Sequence, residues 1–177
     1  MPVKFQLVNT YDEQPWWIEV YLFDEVENLA DVQQKLVKEG LELSLINPAF
    51  VPSALVLQFA ATKALHAQSS QSLKCHSVYS ELLYMLYPST NMRQAFKTFG
   101  ISPEAKSIVV VNYHCSSCNE ASIKTLFKGK EIELSELPKY ADEEKIKKLY
   151  GIGPEEIKIS TLEQSLITRL VGKDYLQ

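Results

Sequence analysis

Cys115 and Cys118 stand behind His114 with two residues between them, and these are the side chains whose spacing speaks most directly of chemistry. A Cys-x-x-Cys pair is half of a structural zinc site, because tetrahedral zinc takes four sulfur or nitrogen ligands. No second such pair occurs, so Cys75 and His76 would have to meet this loop in space to complete the set. The same pair could cycle as a dithiol, since a redox motif of this kind follows a strand and opens a helix. Here the interior is Ser-Ser rather than Gly-Pro, and the usual aromatic neighbour is missing. An ordinary loop is the third reading. Lys74 and His76 precede a helix start, where unpaired N–H groups suit an anion. Arg93 and Lys97 are four residues apart on the next predicted helix and so share one face. His66 falls near a helix end, where a terminal or core role is expected.

No Gly-x-Gly-x-x-Gly, phosphate-loop, nucleophile-elbow or His-Glu-x-x-His pattern is present. Acidic residues gather in the first fifty positions and in Asp142-Glu143-Glu144. The latter opens a helix, where carboxylates favour the macrodipole. Cations without a reactive constellation point to binding rather than catalysis. The chain is therefore read as a non-enzyme with no cofactor and no resident metal, a metal or thiol-redox protein using Cys115 and Cys118 being the alternative.

These groups must be carried by something folded. The 177 residues, 46% hydrophobic and 23% charged, suit one globular domain spanning 1–177. No run of eighteen apolar residues appears, so no membrane span is expected. The first residues lack the apolar stretch of a signal peptide, and three cysteines are an odd number for a secreted disulfide framework, so an intracellular location is expected. The net charge of −4 is uneven: −6 over residues 1–50, +3 over 51–100 and −1 beyond. A basic middle in an acidic chain can form a local anion-binding patch.

Val3, Phe5 and Leu7 alternate with polar residues as a strand does. Trp17–Phe23 is rich in aromatic and β-branched residues and is predicted to pair with it as a hairpin. Asn28 is placed as the cap of a helix that ends at Gly40. Ser44–Pro48 reads as extended, because a residue before proline disfavours helix. The helix over 52–67 is apolar on nearly every side and must be buried or completed by a partner. Val78–Leu86 is helical; Asn91 caps the next helix, with Met92, Ala95, Phe96 and Phe99 inward and a left-handed Gly100 at its stop. Ser107–Tyr113 is predicted to be a central strand. Ile123–Phe127 is helical and Glu131–Leu134 an edge strand. Asp142–Tyr150 is a helix stopped at Gly151. A Ser160-x-x-Glu163 box opens a last helix with Leu162, Leu166, Ile167 and Leu170 inward. The fold class is α/β (α+β), with a small mixed or mostly antiparallel central sheet packed with six or seven helices.

An ordered set of motifs resembles the PRPK-binding protein family, the Cgi-type subunit of the KEOPS/EKC complex. They are Ser44-Leu-Ile-Asn-Pro48, the Ala60-Ala-Thr-Lys63-Ala-Leu-His66 helix, Ser80-Glu81 followed by Pro88-Ser-Thr-Asn91-Met92, and Ala95-Phe-Lys97-Thr-Phe99-Gly100-Ile101. The resemblance covers essentially the whole chain. It implies a non-catalytic subunit, cytoplasmic and nuclear, that binds and regulates the small atypical KEOPS kinase and through it joins the rest of the complex. It also implies help in recruiting tRNA by its 3′ CCA end, for N6-threonylcarbamoyl adenosine formation. On this resemblance Lys74, His76, Arg93 and Lys97 become candidate phosphate contacts. Leu170 and Val171, with Tyr79 and Tyr87, become candidate base-stacking surface. Leu55, Phe59 and Leu166 are the candidate kinase contacts. The family often carries arginine where His76 stands and serine or threonine where Tyr87 stands, and its loop after the central strand has no Cys-x-x-Cys pair.

Overall fold

The computed structural model describes residues 2–7, 15–114, 120–173 and 175. Strand β1 (Val3–Leu7) pairs antiparallel with β2 (Trp16–Asp24), Val3 opposite Val20 and Leu7 opposite Trp16. The other side of β2 pairs antiparallel with β4 (Ile108–Tyr113), which in turn pairs with β3 (Ser44–Ile46). A short β5 (Lys130–Ile132) pairs with Leu22–Asp24. Thus β1 and β5 share one edge of β2 end to end, and the path across the sheet is β1-β2-β4-β3. All pairings are antiparallel.

The alternation of β2 and β4 sends alternate residues to two cores. Ile18, Val20, Leu22, Val109, Val111 and Tyr113 face the larger one. It is covered by α2 (Ala54–Ser69), α3 (Val78–Leu86), α4 (Met92–Phe99), α6 (Glu143–Tyr150) and α8 (Leu162–Gly172). Tyr21, Phe23, Ile108 and Val110 face the smaller one, under α1 (Leu29–Glu39) and α5 (Glu120–Leu126). Helices on both faces explain why β4 reads as a continuous apolar run rather than an alternating one. The all-round apolar α2 is likewise sandwiched, with Val56, Leu57, Ala60, Ala61, Ala64 and Leu65 fully buried.

Several local expectations are corrected. The described residues hold eight α-helices; one, α7 (Pro154–Ile157), is a single turn that periodicity does not reveal. Asn28 stands before α1 but does not cap it: its amide donates to the Leu126 carbonyl and its oxygen accepts from Lys128 N–H. Gly100 is extended (φ −67°, ψ 161°), and a β-carbon there would collide with the Phe96 carbonyl, so close approach rather than a left-handed turn requires the glycine. Gly40 and Gly151, both at φ 63°, do make left-handed stops. The last helix is boxed one residue later than expected, by Thr161 and Gln164, while the Ser160 hydroxyl bonds the Glu156 carbonyl and pairs with the Ser165 hydroxyl. The edge strand stops at Ile132 and Leu134 starts a 3-10 turn. Phe96 is 37% exposed rather than inward.

Candidate functional site

The C-terminus of α2 sets one wall of the site. Ser70 N–H donates to the His66 carbonyl and Ser72 N–H to the Ala67 carbonyl, at 2.9 and 2.8 Å. That wrap needs a left-handed residue between them, and Gln71 takes it at φ 54°. The chain then crosses to α3 through Leu73–His76, outside helix and strand. Ser77 caps α3, its hydroxyl accepting from Ser80 N–H, with Ser80 completing the box from the position where glutamate is usual. Glu81, on the next position and fully buried, turns back to the crossing: one carboxylate oxygen accepts from Lys74 N–H at 2.9 Å and Cys75 N–H at 2.7 Å.

Between these pieces lies a groove of about 990 Å³ whose lining includes Lys63, His66, Ser70, Ser72, Lys74 and Thr90. Lys63 also donates to the Leu170 carbonyl at 2.7 Å, in the last turn of α8, where a cation complements the helix dipole. Beneath the groove Lys173 is buried, donating to the Tyr84 carbonyl with its ammonium 3.4 Å from the centroid of the Tyr84 ring. Burial, then the Glu81 carboxylate, pushes the Cys75 thiol up to about 12. A thiol so firmly protonated is a poor nucleophile and a poor metal ligand. Among the described residues no three His, Cys, Asp or Glu side chains converge as a metal site, and Cys115 and Cys118 lie outside the described residues. The arrangement offers positive charge and hydroxyls to an anion.

The candidate residues divide among several places. Lys74 lies at this groove, joined by Lys63 and His66, which charge pattern alone did not single out. His76 is exposed and lines a separate pocket of about 230 Å³ with Trp16, Tyr79 and Glu42. Arg93 and Lys97 are exposed on α4 and share a helix face with Phe96, which borders a second, apolar groove of about 490 Å³ that also takes in Leu36, Val37, Leu83 and Ile101. Leu170 is fully buried, so it presents no stacking surface, whereas Val171 is 48% exposed. Tyr79 is core, edge-on to Tyr113 at 5.3 Å; Tyr87 is half-buried against the same core. Of the candidate kinase contacts, Leu55 is 50% exposed and Phe59 half-buried, but Leu166 is fully buried, because its helical position points it at the core as its spacing requires. In the sequence Glu81 stands out as the sole acidic residue among positions 51–100 and as part of the Ser80-Glu81 motif, and neither signal shows its hydrogen-bond partners.

The family model described as "Kinase binding protein CGI-121" matches residues 23–174. The chain belongs to the CGI-121 family. It is 35% identical over 155 residues to the EKC/KEOPS complex subunit TPRKB of Danio rerio, covering 86% of this chain and 89% of that protein. It is 28% identical over 163 residues to the EKC/KEOPS complex subunit cgi121 of Schizosaccharomyces pombe, covering 86% and 89%. The corresponding subunit of Candida glabrata is 25% identical over 160 residues, covering 87% and 90%. In CGI-121 terms the groove is built from the Lys63/His66 helix and the Ser80-Glu81 helix, two of the stretches that carry the resemblance.

Proposed function

We propose that this chain is a non-catalytic subunit of an EKC/KEOPS complex that binds and regulates the atypical KEOPS kinase and helps recruit tRNA for N6-threonylcarbamoyl adenosine formation. The family match over residues 23–174 carries this reading. The cytoplasm and nucleus are the proposed locations; among the described residues no helix is long and apolar enough to cross a membrane.

For tRNA, the Lys63/His66/Lys74 groove is the favoured seat, because it gathers two lysines and a histidine beside serine hydroxyls. Such groups hold phosphates without reading sequence. Arg93 and Lys97 add charge on a neighbouring helix, and His76 adds less while neutral. For the kinase, the face of α2 and α8 is favoured. These helices pack together, and on α2 Leu55 leaves a large apolar side chain in water with Phe59 half-buried one turn further on. Apolar anchors of this kind form the centres of protein interfaces.

Co-purification of kinase and tRNA with the tagged chain tests the reading. Leu55→Asp should lose kinase and keep tRNA. Lys74→Glu, and Arg93→Glu with Lys97→Glu, should weaken tRNA retention and keep kinase. Absence of any kinase in the wild-type sample would sink the proposal, and unchanged tRNA retention in both charge-reversal variants would remove its RNA half.

A further inference from the structure

We propose that Glu81 is a positioning residue for the RNA groove, holding Lys74 in place through the backbone and not through its charge; this rests on the reading of that groove as a phosphate seat. Glu81 is the only acid among residues 51–100, and it is fully buried beside a groove whose other titratable groups are Lys63, His66, Lys74 and the Tyr84 phenol. A carboxylate in that place weakens the attraction for a phosphate and is costly to desolvate, so its presence calls for a compensating role. The cap of α3 does not need it, since Ser77 and Ser80 satisfy each other. Its visible work is done on the crossing segment, where one oxygen accepts from two consecutive N–H groups, those of Lys74 and Cys75. The other oxygen, Oε1, is sealed from water with no hydrogen-bond partner. The residue is therefore built around one oxygen at one reach. Lys74 itself is exposed, on a segment with no helix or strand of its own. Without the pin, ordering that segment would be charged to each binding event.

Length and charge can be separated by substitution. Glu81→Gln keeps the reach, because a side-chain carbonyl oxygen can accept the same two N–H groups, and removes the charge. Glu81→Asp keeps the charge and withdraws by one methylene. Binding of a tRNA transcript to the full-length chain, followed across salt concentration, should fall in Glu81→Asp and in Glu81→Ala as far as in Lys74→Ala, each with the salt slope lower by about one. Adding Lys74→Ala to Glu81→Asp should cost nothing more. Glu81→Gln should restore the affinity. Kinase capture should persist throughout and serves as the folding control. Amide exchange on the wild-type chain gives a readout that needs no variant: the Lys74 and Cys75 amides should exchange more slowly than those of Leu73 and His76. Wild-type affinity in Glu81→Asp, additive losses with Lys74→Ala, or fast exchange at both amides would each overturn the proposal. A wild-type chain that does not bind the transcript, or a Lys74→Ala chain that binds it undiminished, would overturn the phosphate-seat reading and this proposal with it. Loss of binding in Lys74→Ala with none in Glu81→Asp would remove the Glu81 role alone.

Discussion

Leu170 and Val171 are neighbours in sequence with opposite fates, and the contrast shows how a single side chain is assigned to core or surface. Leu170 is fully buried in the core that α8 shares with α2, while Val171 is 48% exposed. Leu170→Ala should therefore cost about 2–5 kcal/mol, the usual range for truncating a buried leucine, measured by urea denaturation. Val171→Ala should stay within about 0.5 kcal/mol, as surface changes generally do. Helical spacing already marks Leu166 and Leu170 as inward, and that reading prevails over their candidacy as partner contacts, since a core residue presents no surface. What spacing could not reveal is the role of Glu81. Its hydrogen-bond partners are backbone groups, and a sequence carries no record of which N–H groups lie unpaired in space.

Among elements, the wrap that ends α2 stands out because a glutamine occupies its left-handed position. A non-glycine side chain there costs of order 1 kcal/mol through steric crowding. Gln71→Gly should therefore raise stability by about 1 kcal/mol in the same denaturation measurement, less whatever entropy the glycine returns to the unfolded chain. The strands and longer helices were legible because their periods record which face is buried. Their ends were less so, for reasons that differ from case to case. The Asn28 amide is drawn to a loop about a hundred positions away, so no local pattern describes it. The last helix offers Ser160 and Thr161 as rival caps, and contacts of Ser160 with Glu156 and Ser165 decide between them. The candidate groove follows the same rule: its cations come from α2 and from the segment before α3, and only packing brings them to one place.

At the scale of the molecule, acid should be the condition that dismantles the fold by stages. Arg169 grips Glu156 through two short bonds, at 2.6 and 2.7 Å, and reaches the Tyr150 and Gly151 carbonyls, tying α6, α7 and α8 together. The guanidinium, with help from Ser165, holds the Glu156 carboxyl down at about 2. Burial alone would raise Glu19, but bonds from Lys4 and Tyr21 hold it below its ordinary value; Asp24 is lowered first by Ser107 and also by Tyr140. Groups depressed in the folded state contribute stability above their ordinary values, 4.5 for glutamate and 3.8 for aspartate, and lose it as pH falls through the folded ones. Urea midpoints should therefore hold steady above about pH 5 and decline below it. In Glu156→Gln the decline should be shallower, and an unchanged slope would show that this clasp does not couple to folding. The sheet has a different vulnerability. Because β1 and β5 divide one edge of β2 between them, the longest strand has no open side. Clipping or crowding residues 3–7 would bare the backbone of Trp16–Val20, a tryptophan- and valine-bearing stretch in the middle of the chain's pairing network. An affinity handle for partner capture is for that reason better placed away from the first strand.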